Sequence, residues 1–151
     1  MIAEIIAATL LTSNQMQNVE QHFPKNEIPI ILEVAQEYKL TQDQTILLFC
    51  IRRVENSGML RIQDGEHITD HANGMQFGVG HGKPSHPARR YAGNFEQSLR
   101  LQAQWAAGTI QKRYIGLNTF AKLWTYENHE NWKLMVWYWF KKLTRSRYVQ
   151  V

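Results

Sequence analysis

Residues 41–58 read TQDQTILLFCIRRVENSG, and this stretch decides the fold. It opens on a capping-box pattern, in which the side chains of Thr41 and Gln44 each accept a hydrogen bond from the other residue's backbone N–H. Apolar residues at helical spacing continue to about Val54, and Gly58 ends the segment. The stretch therefore predicts one helix with Glu55 at its carbonyl end.

Glu55 occupies a position that a cation would fill at lower cost. The carbonyl end of a helix carries partial negative charge, which opposes ionisation of a carboxyl group. Partial burial would raise the pKa of Glu55 further and keep it protonated near neutral pH. Cleavage of a glycosidic bond requires a general acid of this kind. The competing interpretation is a solvated glutamate beside Arg52 and Arg53, since structural groups also have perturbed pKa values.

Length and composition indicate one compact domain. The chain has 151 residues, of which 44% are hydrophobic and 20% charged, so intrinsic disorder is excluded as a class. Five Trp, six Tyr and six Phe exceed what the core of a short chain needs, and such residues also line clefts that hold sugars or bases. The net charge of +4 favours an anionic partner, such as nucleic acid, an acidic membrane surface or a bacterial wall polymer.

Cysteine usage and targeting signals agree with an intracellular origin. Cys50 is alone and has apolar neighbours, so we expect a buried, inert thiol and no internal disulfide. The apolar residues 1–12 include Glu4 and lack a basic leader, and residues 134–140 are too few to cross a bilayer. We therefore expect synthesis in the cytoplasm without a signal peptide, and no stable membrane insertion.

Hydrophobic spacing predicts a single, mostly α domain without repeats. The expected helices cover about residues 2–11, 28–38, 41–54, 94–113, 117–124 and 130–143. Between the third and fourth of them, residues 57–94 contain seven of the nine glycines, which predicts a long central loop. Residues 60–69 could form a small β-hairpin within it.

The glycine-rich segment at 74–80, GMQFGVG, stands out in this loop. Glycines allow close backbone approach to a ligand, while Gln76 offers an amide for sugar hydroxyls and Phe77 an apolar wall. A turn that packs Phe77 and Val79 into the core is the competing interpretation.

Taken together, a helix ending in Glu55-Asn56-Ser57-Gly58 and a loop reading Gly74-Met75-Gln76-Phe77-Gly78-Val79 resemble the lysozyme-like superfamily. The nearest branches are the lytic transglycosylases, the goose-type lysozymes and the phage lysozyme-like domains. Residues 91–114 are similar to the scaffold helix of the phage domains, and residues 120–124 and 128–136 to a later segment that holds an aromatic residue over the sugar site. The resemblance spans about residues 41–143. Its departures are a longer gap after Glu55 and the absence of the usual Tyr-Asn-Gly step.

The resemblance implies a lysozyme-like helical fold that cleaves the glycan strands of bacterial peptidoglycan. Glu55 would be the catalytic acid, and Gln76, Phe77, Gly78 and Tyr126 would line the substrate cleft. It implies no cofactor and no metal. It also implies an enzyme of the endolysin or virion-associated kind, which acts in the cell wall or periplasm.

The identity of the reaction depends on a second group. Glu55 would protonate the oxygen between N-acetylmuramic acid and N-acetylglucosamine. A lytic transglycosylase then needs no second carboxylate, because the muramoyl 6-hydroxyl attacks, whereas a lysozyme needs another acid. Asp64, Glu66 and Asp70 are the candidates, and they favour hydrolysis slightly. These acids could equally serve only to hold the hairpin turn.

Two other functions compete with this interpretation. His67, His71, His81 and His86, with Asp70, could bind zinc as in a cell-wall peptidase or amidase. A nucleic-acid-binding module could instead use two basic segments, residues 89–90 and 141–147, together with the aromatic residues 137–139. We do not expect nucleic acid as the partner, because this aromatic run is more typical of a core.

Overall fold

In the computed structural model, residues 10–55, 95–125 and 128–146 are described, and they form six helices with no strand. The helices are α1 (Ser13–His22), α2 (Ile28–Glu37), α3 (Gln42–Glu55), α4 (Phe95–Arg113), α5 (Leu117–Trp124) and α6 (His129–Thr144). The mostly α class is thus confirmed. The expected hairpin at 60–69, the central loop and residues 2–9 of the first expected helix lie outside the described residues.

Helix α1 is absent from the helices that we predicted. Its sequence has few apolar residues, and its buried residues include the polar Gln15 and Asn18. A capping box nevertheless begins it: Thr12 Oγ1 accepts from the backbone N–H of Gln15 at 3.1 Å, and Gln15 Oε1 accepts from that of Thr12 at 3.0 Å. The Asn18 amide donates to the carbonyl oxygen of Leu143 at 2.9 Å, which ties α1 to the end of α6. Capping and buried polar contacts therefore add to the small apolar contribution of Val19 in this helix.

Helix α3 is the central element, and it contacts α2, α4 and α6. The predicted capping box is present, with Gln44 Oε1 3.0 Å from the backbone N of Thr41 and Thr41 Oγ1 3.2 Å from that of Gln44. Every residue from 45 to 52 is buried. Cys50 is among them, and burial raises the pKa of its thiol well above the usual range, as expected of an inert cysteine.

A buried ion pair joins α3 to the start of α2. Arg52 Nε donates to Glu27 Oε1 at 2.8 Å, and Arg52 Nη2 donates to Glu27 Oε2 at 3.0 Å. Both side chains are fully buried. This two-point contact fixes the rotation of α3 one turn before Glu55, because the planar guanidinium matches the carboxylate in only a few orientations.

Helix α6 corrects one sequence-based interpretation. Trp132, Val136 and Leu143 face the core, whereas Trp137 and Tyr138 are 47% and 52% exposed. The interpretation of the aromatic run as core was therefore wrong for these two residues. Consecutive helical residues are separated by about 100°, so a run of three aromatics cannot all face one core.

Of the helices in the described residues, none is both long enough and apolar enough to cross a bilayer.

Candidate active site

Glu55 is the last residue of α3, and its carboxyl group is held by two tryptophans. The indole N–H of Trp124 donates to Glu55 Oε1 at 2.6 Å. The indole N–H of Trp132 donates to the same oxygen at 2.9 Å. Within the described residues, no donor contacts Oε2. Both indoles therefore bind the carboxyl group through the same oxygen.

Helices α5 and α6 position these two indoles. Trp124 ends α5 and Trp132 lies in the first turn of α6, and the two helices contact each other. Their rings stack with centroids 5.9 Å apart at an interplanar angle of 23°. Phe120 packs against both, with centroids 5.5 Å from Trp124 and 6.3 Å from Trp132. The two donors therefore sit on a packed aromatic platform and not on mobile surface side chains.

Burial raises the pKa of Glu55 above its usual range, and this is the largest of three effects on that pKa. The hydrogen bonds from Trp124 and Trp132 act in the opposite direction, because they stabilise the ionised form. Burial prevails since indoles are neutral donors and bring no compensating charge. The direction of the shift matches the sequence-based expectation for a group that retains its proton.

The two neighbouring arginines are engaged elsewhere. Arg52 is paired with Glu27, and the Arg53 guanidinium lies over the Trp139 ring at 4.8 Å from its centroid. Glu55 is half-buried and bonded to indoles. The competing interpretation of a solvated glutamate beside two arginines does not describe this environment.

A groove of about 460 Å³ adjoins the aromatic platform. Trp124 forms part of its wall, and Trp105 packs edge-on against Trp124 with ring centroids 5.2 Å apart. Among the described residues the groove is lined by Tyr38, Gln104, Trp105, Gly108, Thr109, Lys112, Arg113, Leu123 and Trp124. Glu55 is not in this lining. Trp124 links the groove to Glu55, because it is in the groove lining and its indole N–H donates to the Glu55 carboxyl group.

Of the site residues predicted from the sequence, the structure describes Glu55. The proposed second carboxylates Asp64 and Asp70 lie outside the described residues, and so does Glu66. The same holds for the proposed cleft residues Gln76, Phe77, Gly78 and Tyr126, and for the histidines 67, 71, 81 and 86 of the zinc alternative. Within the described residues, no group of three or more His, Cys, Asp or Glu side chains could hold a metal ion.

Sequence reasoning missed Trp124 and Trp132 as partners of Glu55. Both lie in the segments 120–124 and 128–136 that we singled out, on either side of Tyr126. The signal that could have found them is chemical. A tryptophan buried in an apolar cluster still needs an acceptor for its N–H. Glu55, expected to be partly buried at a helix end, was a candidate acceptor.

No family model, no curated protein and no solved structure matches this chain.

Proposed function

We propose that this protein is a muramidase that cleaves the β-1,4 glycosidic bond between N-acetylmuramic acid and N-acetylglucosamine in peptidoglycan, with Glu55 as the general acid. The observation that carries the proposal is the environment of the Glu55 carboxyl group. Burial favours the protonated form, while two indole N–H groups fix the group in place. A general acid is served by both features, since it must hold its proton and keep its position at the substrate.

The hydrogen-bond pattern indicates which oxygen carries the proton. Oε1 accepts from both Trp124 and Trp132, so its lone pairs are occupied. The proton then belongs on Oε2, which is the oxygen that would face the glycosidic oxygen. As that bond breaks, the proton leaves Glu55 and negative charge develops on the carboxyl group. The two indoles stabilise this charge, so they assist the departure of the proton that burial retains.

The adjoining groove supports a glycan substrate. Trp105 is partly exposed in the groove and offers an aromatic ring for the apolar face of a sugar, and Gln104 and Thr109 offer groups that can pair with hydroxyls and acetamides. Lys112 and Arg113 lie at the same groove, and their charge favours an acidic wall polymer.

Completion of the reaction follows one of two routes. In hydrolysis, Asp64 or Asp70 would activate a water molecule or stabilise the oxocarbenium-like sugar, and the product would have a reducing end. In transglycosylation, the muramoyl 6-hydroxyl attacks C1 while the Glu55 carboxylate takes its proton, and the product has an anhydro end. Asp64 and Asp70 favour hydrolysis.

The decisive experiment incubates the purified protein with isolated peptidoglycan sacculi and identifies the released muropeptides by mass spectrometry. We expect soluble muropeptides from the wild-type protein, with reducing ends. Glu55→Gln should lower the rate by about 10²- to 10⁴-fold, the usual contribution of general acid catalysis. Glu20→Gln, which changes an exposed glutamate of α1, is the matched control and should keep full activity.

Retained turnover in Glu55→Gln would contradict the role of Glu55, and the absence of any released muropeptide from the wild-type protein would contradict the muramidase proposal. Folding must be checked alongside. Gln keeps an oxygen acceptor for both indoles, so we expect the free energy of unfolding to change by no more than about 1 kcal/mol at neutral pH.

A further inference from the structure

One side of α6 is apolar although it faces solvent. We call it the outward face of α6 and define it as Leu134, Met135, Trp137, Tyr138, Lys141 and Lys142. Leu134 is 60% exposed, Met135 41%, Trp137 47% and Tyr138 52%. Leu134, Trp137, Tyr138 and Lys141 follow the spacing i, i+3, i+4, i+7, which places them on one stripe of the helix. A contiguous patch of large exposed apolar side chains often marks an interaction surface, whereas single scattered ones do not.

The outward face is separate from the side of α6 that builds the core. Trp132, Val136 and Leu143 are buried on the opposite side. The helix thus has two apolar stripes, and folding of the described residues uses only one of them. The second stripe does not contribute to the Glu55 site, because Trp132 reaches Glu55 from the buried side.

Cations lie directly on the aromatic rings of the outward face. Lys141 Nζ is 5.7 Å from the centroid of Trp137, and Lys142 Nζ is 5.2 Å from that of Tyr138. Lys142 Nζ also donates to the Tyr138 hydroxyl oxygen at 3.0 Å. Arg145 is exposed at the end of the helix. The exposed acid Glu130 is at the opposite end and is paired with Lys133 at 2.8 Å. The apolar stripe therefore ends in a cluster of positive charge.

We propose that the outward face of α6 binds the surface of an anionic lipid bilayer, with the helix axis parallel to the membrane plane. Leucine, methionine and tryptophan would enter the boundary between headgroups and acyl chains, while Tyr138 and the lysines would remain at the headgroups. Lysines near such a surface gain from its negative potential. This membrane contact is independent of the proposed cleavage of peptidoglycan, since it uses none of the residues around Glu55.

The same observations disfavour two other occupants. A second copy packed with its α6 parallel would bring Lys141, Lys142 and Arg145 against their counterparts, and like charges repel at such an interface. An antiparallel copy would bring these cations to the end of the helix where Glu130 is already paired with Lys133. Nucleic acid would satisfy the cations and stack on Trp137 and Tyr138, but it offers no apolar environment for Leu134 and Met135. A bilayer matches the aliphatic, aromatic and cationic side chains together.

The test is co-sedimentation of the full chain with vesicles. We expect binding to vesicles of equal parts phosphatidylglycerol and phosphatidylcholine, little binding to phosphatidylcholine alone, and weaker binding as salt concentration rises. Lys141→Gln with Lys142→Gln should weaken binding about 30-fold, because each lysine near an anionic surface contributes about a factor of five. Leu134→Ser with Trp137→Ser should weaken it by at least about tenfold, through lost apolar burial.

Matched controls are available elsewhere on the molecule. Lys25→Gln with Lys122→Gln changes the net charge equally at exposed positions outside the outward face, and Ile115→Ser removes an apolar side chain that is 84% exposed between α4 and α5. Both controls should bind vesicles as the wild-type protein does. Circular dichroism of each variant should show unchanged helix content, since every altered side chain is exposed or only partly buried.

Several outcomes would overturn the proposal. One is equal binding to anionic and neutral vesicles, and another is equal loss in the control variants. A third is binding to DNA or to isolated cell wall, abolished by the outward-face variants, without binding to vesicles. A dimer in sedimentation velocity that Leu134→Ser with Trp137→Ser dissociates would assign the face to a second copy instead.

Discussion

Trp132 donates its indole N–H to Glu55 at 2.9 Å although 77 residues separate the two in the chain. The bond fixes the last side chain of α3 against the first turn of α6. It makes the pKa of the carboxyl group depend on a neutral donor from a distant part of the chain. Replacing either tryptophan therefore tests both the pKa and the placement of Glu55.

The protein should lose stability relative to Glu55→Gln as the pH rises. Burial raises the pKa of Glu55, so the folded state holds this proton more tightly than the unfolded chain does. The stability from protonation is fully present below the unfolded pKa, about 4.3, and is lost as the pH rises through the higher folded pKa. Urea unfolding of both proteins at several pH values across this window measures the difference. Parallel stability curves would contradict a raised pKa.

Trp124→Phe and Trp132→Phe should each shift the activity profile to higher pH. Each change removes a donor that stabilises the ionised form, so the pKa of Glu55 rises further and the acid stays protonated over a wider range. The rate at the optimum should fall about tenfold, because a hydrogen bond to a charged group contributes about 1.5 kcal/mol or more. Rates of muropeptide release across pH measure both effects. Trp137→Phe, on the exposed side of α6, is the control and should change neither.

Glu27→Gln should strongly destabilise the fold, because it removes the carboxylate charge that the fully buried Arg52 contacts at two points. We expect a loss of about 3–5 kcal/mol in the free energy of unfolding, measured by urea titration. The control is Glu33→Gln, which breaks the partly exposed pair of Glu33 with Arg100 and should cost about 1 kcal/mol or less. Replacing both members of the buried pair, as Glu27→Leu with Arg52→Met, should recover much of the loss. A small effect of Glu27→Gln alone would show that the pair does not anchor α3.

Cys50 should not react with a thiol reagent in the native protein. The side chain is fully buried in α3 and burial raises its pKa, so both access and thiolate are lacking. Titration with a disulfide reagent should show no reaction under native conditions and one thiol per chain in denaturant. Fast native labelling would place Cys50 at a surface.

Local signals in the sequence predicted much of the helical framework. The pattern at Thr41 and Gln44 predicted the start of α3, and Glu55 is its last residue, as expected. The same pattern at Thr12 and Gln15 begins α1, which our predictions lacked because its sequence contains few apolar residues. Capping is a local interaction, and it can define a helix where hydrophobic spacing does not.

The partners of Glu55 could not be derived in the same way. Trp124 and Trp132 reach it across 69 and 77 residues of chain, and only the packing of α5 and α6 against each other determines that both N–H groups meet one oxygen. Exposure of Trp137 and Tyr138 was likewise mispredicted, because composition identifies an aromatic run as apolar without indicating which side of the helix meets the core.

The long separation between Glu55 and its two donors also sets an order of events during synthesis. Trp132 lies 77 residues after Glu55 in the chain. Ribosomes add about 5–20 residues per second, so Trp132 is synthesised about 4–15 s after Glu55. Throughout that interval Glu55 lacks its two indole partners. The two indole hydrogen bonds to Glu55 can form only once α6 has left the exit tunnel and docked, so the environment that we propose for a proton donor is completed late in synthesis.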